Sequence, residues 1–226
     1  MLRLSRIRAL CFDVDGTLRD TDDQYVDALA RRLRRVRFLF PAGDPAPFAR
    51  KAVMALESPG TFLYGLPDRL GIDLHLAALS EAIERRLPPR PARRFTLIPG
   101  AREALLALRP RYPLAVVSAR DERSTLAFLR AFDLEDVFVC VATALTCRHA
   151  KPYPDQILWA AQRMGVPPSA CLMIGDTTVD IRAGRAAGAQ TVGVLCGFGE
   201  EKELRRAGAD AILASTADLP ALLQRA

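Results

Sequence analysis

The sequence predicts an α/β protein built on a doubly wound parallel sheet, with a helical block inserted after the first strand. Three observations carry this. Apolar runs of strand length at 7–14, 114–118, 137–142, 170–175, 191–195 and 211–213 alternate with amphipathic segments. The runs are continuously apolar, as strands covered on both faces are. From about Thr21 to Arg94 the alternation stops, and only helical patterns occur.

The elements follow in chain order. Strand 7–14 leads into the helical interval, with patterns at 25–38, 48–56 and 74–87. Proline and glycine divide these patterns at 41–47, 58–60 and 88–89. The α/β order resumes at Leu97-Ile98-Pro99-Gly100, and helices are predicted at 101–108, 123–132, 154–164 and 181–187. The expected organisation is a discontinuous core, 1–20 with 95–226, and an inserted α-helical domain at 21–94. Gly184 and Gly188 read as close-packing and C-cap positions. Trp159 reads as a packing residue on a helix face.

Composition narrows the classes. Half of the 226 residues are hydrophobic and 26% are charged, which excludes a disordered or collagen-like chain. No apolar run reaches the ~18 residues of a membrane span. Residues 1–7 lack the apolar region and cleavage site of a secretory signal, so the expectation is a soluble, cytoplasmic protein. Five scattered cysteines without a CxxC pair argue against a disulfide framework or a zinc site. Cys11, Cys140 and Cys171 read as small core hydrophobes. The net charge is +6, and only Lys51, Lys151 and Lys202 among the 32 basic residues are lysine. Acidic residues are interspersed, and the Arg31-to-Arg37 cluster lacks any nucleic-acid motif, so it reads as a solvated helix face.

The chemistry lies where the strands end, since open α/β sheets gather ligands at their carboxyl edge. Strand one ends in Asp13-Val14-Asp15-Gly16-Thr17 and the next in Ser118-Ala119-Arg120. Arg148-His149-Ala150-Lys151-Pro152 follows the third, and Gly175-Asp176-Thr177-Thr178-Val179-Asp180 closes the fourth. Converging carboxylates repel unless a cation sits among them, and hard oxygen donors favour Mg2+. A metal-held carboxylate can attack phosphorus, while a second carboxyl protonates the leaving oxygen and later activates water. Lys151, Ser118 and backbone amides near Gly16 and Ala119 would neutralise phosphoryl charge.

Across these four motifs the chain closely resembles the haloacid dehalogenase superfamily, in its phosphoglycolate phosphatase-like branch with an α-helical cap after the first motif. Asp13-Val14-Asp15-Gly16-Thr17-Leu18 matches motif one and Ser118 motif two. Lys151-Pro152-Tyr153-Pro154 matches motif three, and 175–180 matches motif four. The resemblance implies a Rossmann-like core and a Mg2+-dependent phosphatase acting through an aspartyl-phosphate. It makes Asp13 the nucleophile and a metal ligand, and Asp15 the general acid/base with its backbone carbonyl on the metal. Ser118 and Lys151 hold the phosphoryl group, with Gly16 and Ala119 beside it. Asp176 ligates Mg2+, and Asp180 ligates or supports it through water. Asp15 favours phosphate chemistry, because carbon–halogen-cleaving relatives lack this acid. Two positions depart from the common pattern: Ala119 stands for Asn or Gly, and Ala150 for Gly.

Other polar residues read more plainly. Asp20, Asp22 and Asp23 cap or solvate the first inserted helix. His149 has a surface or hydrogen-bonding role, and His75 a structural one. Arg50, Lys51 and Tyr64 are candidate substrate contacts in the cap. Segments 191–194, 197–199 and 207–210 look most like the phosphoglycolate phosphatase group. The expected partner is a small phosphorylated metabolite, not nucleic acid or membrane, with the protein a monomer or homodimer. The alternatives are a sugar-phosphate mutase resembling β-phosphoglucomutase and, from another class, an arginine-rich nucleic-acid binder on a retired hydrolase scaffold.

Overall fold

The structure, a computed structural model, describes residues 2–20, 29–40, 43–45, 48–49 and 95–224. Among them six parallel strands form one sheet: β1 (Ala9–Phe12), β2 (Leu114–Val117), β3 (Cys140–Ala142), β4 (Cys171–Gly175), β5 (Gln190–Val194) and β6 (Ala211–Leu213). Their order is β3-β2-β1-β4-β5-β6. The chain therefore winds outward from β1 to β3, then returns to the other side of β1 and winds outward again. The reversal leaves a crevice between the carboxyl ends of β1 and β4, where such sheets bind ligands.

Within the described residues 95–224, five α-helices lie between strands, α1 (Ala101–Leu108), α2 (Glu122–Ala131), α3 (Asp155–Arg163), α4 (Thr178–Ala186) and α5 (Glu201–Ala207), and α6 (Leu219–Leu223) follows β6. The two-residue side-chain period of β1 sorts them onto two unlike faces. Leu10 and Phe12 join Leu114, Val116, Leu172 and Ile174 under α1, α2 and α6, forming the bulky side of the core. Ala9 and Cys11 join Ala115, Val117, Cys171 and Met173 under α3 and α4, a side lined by small residues. Gly184 fits this thin layer, because a Cβ there would lie 2.5 Å from Thr191 Cγ2 and 2.9 Å from Met173 Cβ. Gly188, at φ +76°, terminates α4. Trp159 packs at the edge of the small-residue side, beneath the Arg163 guanidinium.

Several predicted bounds shift. The apolar run 7–14 contributes only Ala9–Phe12 to the sheet, because Val14 begins the turn that carries the acids. In 137–142, Val137 closes a 3-10 turn, Val139 is exposed, and the strand starts at Cys140. Cys140 is half-buried at this edge, whereas Cys11 and Cys171 are buried; all five cysteines are free. The expected helix 25–38 is helical at 29–33 and then tightens to 3-10 over Arg34–Leu39, broken at Val36. Arginines spaced three and four apart repel along that segment. Arg31, Arg32, Arg34, Arg35 and Arg37 are all exposed.

The chain divides into two compact units, Met1–Asp20 with Pro91–Ala226, and Thr21–Arg90. Within the first unit, the outgoing and returning segments run side by side: Asp20 N–H donates to Thr96 O and Ile98 N–H to Leu18 O. Expected helices 48–56 and 74–87 fall outside the described residues apart from 48–49, which are helical. Among the described residues, no helix is long and apolar enough to cross a membrane.

Candidate active site

The first motif is shaped by its own backbone. Asp13 N–H donates to Ile174 O, carrying the β1–β4 ladder one residue past the strand and leaving Asp13 at the mouth of the crevice. The chain then curls, with Val14 O accepting from the amides of Thr17, Leu18 and Arg19. Gly16 allows this at φ +74°, and any Cβ there would strike the Asp176 carboxylate. The Thr216 hydroxyl secures the loop from α6's approach by donating to Thr17 O at 2.6 Å.

Opposite stands the fourth motif. Asp176 is fully buried at the end of β4; its Oδ1 accepts from the Thr17 hydroxyl at 3.3 Å and its Oδ2 from Phe198 N–H at 2.8 Å. Asp180 lies in the first turn of α4, where its Oδ2 accepts from Thr177 N–H (3.0 Å) and the Thr177 hydroxyl (2.7 Å). This capping box fixes the carboxylate at the positive end of the helix. Its other oxygen, Oδ1, is 2.6 Å from Lys151 Nζ, which also donates to Asp13 Oδ1 at 2.5 Å.

Asp13, Asp176 and Asp180 each place a carboxylate oxygen within 4.8 Å of the others, and all three are buried. One ammonium pairs with two of the three acids, which leaves a net negative cluster of oxygen donors of the kind that holds a hard divalent cation. Burial pushes Asp13 up to about 7; Lys151 offsets part of that cost, while Asp180 and Asp15 add to it. Burial also works against the Lys151 ammonium, but Asp13 and Asp180 outweigh it and hold that lysine above its ordinary range.

Asp15 stands apart from the cluster. One carboxylate oxygen accepts from Arg120 Nε and the other lies 3.8 Å from Arg19 Nη1. The Arg19 guanidinium rests on the Phe95 ring. Ser118 is buried at the end of β2, its hydroxyl accepting from Arg120 N–H at 3.1 Å, and Ala119 is exposed in the bend that follows. His149 pairs with Asp155 at 3.0 Å and packs against Tyr153, a hydrogen-bonding role as expected. His75, Asp22, Asp23, Arg50, Lys51 and Tyr64 lie outside the described residues.

Sequence reasoning placed Arg120 and Thr177 in the strand-end motifs without giving either a role, and passed over Arg19, Gln156 and Thr216. Thr177 was legible, as T-x-x-D at a helix start is a capping signal. Arg120 and Thr216 reach the site only through tertiary packing.

The sequence model of one family, described as a haloacid dehalogenase-like hydrolase, matches residues 7–188. The chain belongs to this family. Within the haloacid dehalogenase-like hydrolases it is 30% identical over 223 residues to a phosphoglycolate phosphatase of Nitrosospira multiformis, covering 97% of this chain and 96% of the relative. It is 28% identical over 218 residues to a phosphorylated carbohydrates phosphatase of Thermotoga maritima, covering 92% and 94%. A family hydrolase from Deinococcus radiodurans R1, solved with bound phosphate and sodium, superposes with a TM-score of 0.66 at 26% identity, covering 97% and 96%. The resemblance drawn from the four motifs and the α/β fold class are thereby shown, and the protein is an enzyme of this hydrolase family.

Proposed function

We propose that this enzyme is a Mg2+-dependent phosphatase that hydrolyses small phosphorylated metabolites through an aspartyl-phosphate. The observation that carries the reading is the buried cluster in which Lys151 bridges Asp13 and Asp180 beside Asp176. Mg2+ held by Asp13, Asp176 and Asp180, with the Asp15 backbone carbonyl, would supply charge neutralisation between nucleophile and phosphoryl group.

The chain's own residues do the rest. A carboxylate oxygen of Asp13 attacks phosphorus while the bond to the ester oxygen breaks, and Asp15 gives that oxygen its proton. Asp15 then takes a proton from water as the water oxygen attacks the aspartyl-phosphate, which frees Asp13 and inorganic phosphate. Lys151, the Ser118 hydroxyl and the backbone at Gly16 and Ala119 hold the phosphoryl oxygens. Arg120 and Arg19 orient Asp15 between its two duties.

Residues 21–94 form a helical cap in this reading and select the leaving group, with Arg50, Lys51 and Tyr64 as contacts. Phosphoglycolate is the first substrate to try, a choice supported by the Nitrosospira relative's name and the arginine-rich composition. The test is inorganic phosphate release across a panel of phosphorylated metabolites, with Mg2+ and with chelator. Metal-dependent release is expected, greatest for small anionic esters. Negligible release alongside efficient isomerisation of a sugar phosphate would overturn the phosphatase in favour of a mutase.

A further inference from the structure

Gln156 is the second residue of α3 and is fully buried, on the face where Ile157, Ala160 and Ala161 enter the small-residue core. An amide in such a place is costly unless its hydrogen-bonding groups are satisfied. Its Nε2 donates to Ser118 O at 2.9 Å and to Thr143 O at 2.7 Å, and its Oε1 accepts from Lys151 N–H at 3.3 Å. Both amide hydrogens are thus engaged by carbonyls at the carboxyl ends of β2 and β3. Two backbone bonds join these segments past the strands, Ser118 N–H to Ala142 O and Ala144 N–H to Arg120 O, both at 2.9 Å. Between these two bonds, the Gln156 side chain links Ser118 and Thr143 to each other and to the loop that carries Lys151.

Those ties join the segments of the two residues that hold the phosphoryl group in the function proposed above, on which this inference rests. We infer that Gln156 is a positioning residue that sets the spacing of Ser118 and Lys151, and so the width of the phosphoryl cradle. It acts through their backbone and does not touch substrate. The cradle must fit a five-coordinate phosphorus more closely than a ground-state ester. Displacing one wall should therefore weaken transition-state binding more than substrate binding.

Two variants and two readouts test this. Gln156→Leu removes all three bonds at similar volume. Gln156→Glu keeps the shape but donates one hydrogen at most, and only while protonated. Phosphatase kinetics are measured with Mg2+, and orthovanadate, which mimics five-coordinate phosphorus, is titrated by calorimetry. Gln156→Leu is expected to lower kcat by ~10–100-fold, the scale of an ångström misplacement. Orthovanadate affinity should fall by a similar factor while KM moves less. For Gln156→Glu, the ratio of activity to that of the unaltered enzyme should rise as pH falls from 8 to 5. A lowered Tm with kcat and orthovanadate affinity within twofold of the unaltered enzyme would overturn the inference. So would a Gln156→Glu pH profile parallel to that of the unaltered enzyme. Calorimetry separates the two claims because it needs no turnover. An unaltered enzyme that binds orthovanadate but cleaves no ester defeats the phosphatase reading alone, and positioning is then judged by whether Gln156→Leu weakens that binding. An unaltered enzyme that binds no orthovanadate defeats both.

Discussion

Lys151 joins Asp13 and Asp180 across 138 and 29 positions of the sequence, and this one ammonium shows how the site is balanced. It is too little charge for three buried acids, so Asp13 is pushed up to about 7 by burial that Lys151 only partly offsets. Because the folded value lies above the unfolded 3.8, the metal-free folded protein holds a proton that the unfolded chain has lost. This contribution to stability is complete below about pH 4 and disappears as pH rises through 7. In chelator, Tm should fall more steeply between pH 4.5 and 7.5 than it does for Asp13→Asn, which cannot titrate; parallel curves would remove Asp13 as the source. With Mg2+ the slope should flatten, since a bound cation favours the carboxylate. Asp13→Asn should also lose at least ~10³-fold in kcat as the nucleophile disappears. Near-normal phosphate release by that variant would contradict the role.

At the scale of elements, α4 is the part on which the site depends most. Its first turn fixes Asp180 through the Thr177 capping box, and its body reaches the sheet only because residue 184 has no side chain. Gly184→Val should overpack the contact with Thr191 and Met173, at a cost of ~1–3 kcal/mol in urea denaturation. Because the same helix carries Asp180, half-maximal activation should require more Mg2+; unchanged activation would uncouple helix seating from the site. The elements legible in sequence were those with strong apolar periodicity: Ala101–Leu108 and Ala211–Leu213 match their predicted bounds. Unpredicted α5 and α6 lacked that signal. Of α5 (Glu201–Ala207), only Leu204 is buried; α6 spans five residues with a proline in its first turn. The strand ends were overestimated at Val14 and Val139, where apolar residues serve a turn and an exposed edge. The acids were legible because their order along the chain is fixed by the strands. The side chains that orient them, Arg120 and Gln156 above all, depend on strand neighbours distant in sequence.

For the whole molecule, the sheet order explains why distant acids meet: β1 and β4 are adjacent, so Asp13 and Asp176 face one another across the crevice where the winding reverses. Some of the surface arginines sit in local contacts, Arg130 with Glu135, Arg205 with Glu201, and Arg111 over Tyr112. Electrostatic strain is concentrated in the acid cluster instead. A ligand that binds the folded state alone stabilises the whole chain by mass action, by about 2.7 kcal/mol at a hundred times its dissociation constant. Mg2+ should therefore raise the Tm of the chelator-treated protein with a concentration dependence that follows activation. In Asp176→Asn the one remaining oxygen can accept from Phe198 N–H, the amide nitrogen replaces the oxygen that faced the Thr17 hydroxyl, and the charge is lost. Its metal-free Tm should be equal to or above that of the unaltered protein, because relieving acid–acid repulsion offsets the lost bond, and its response to Mg2+ should be much reduced. A full thermal response to Mg2+ in Asp176→Asn would place the cation elsewhere in the fold.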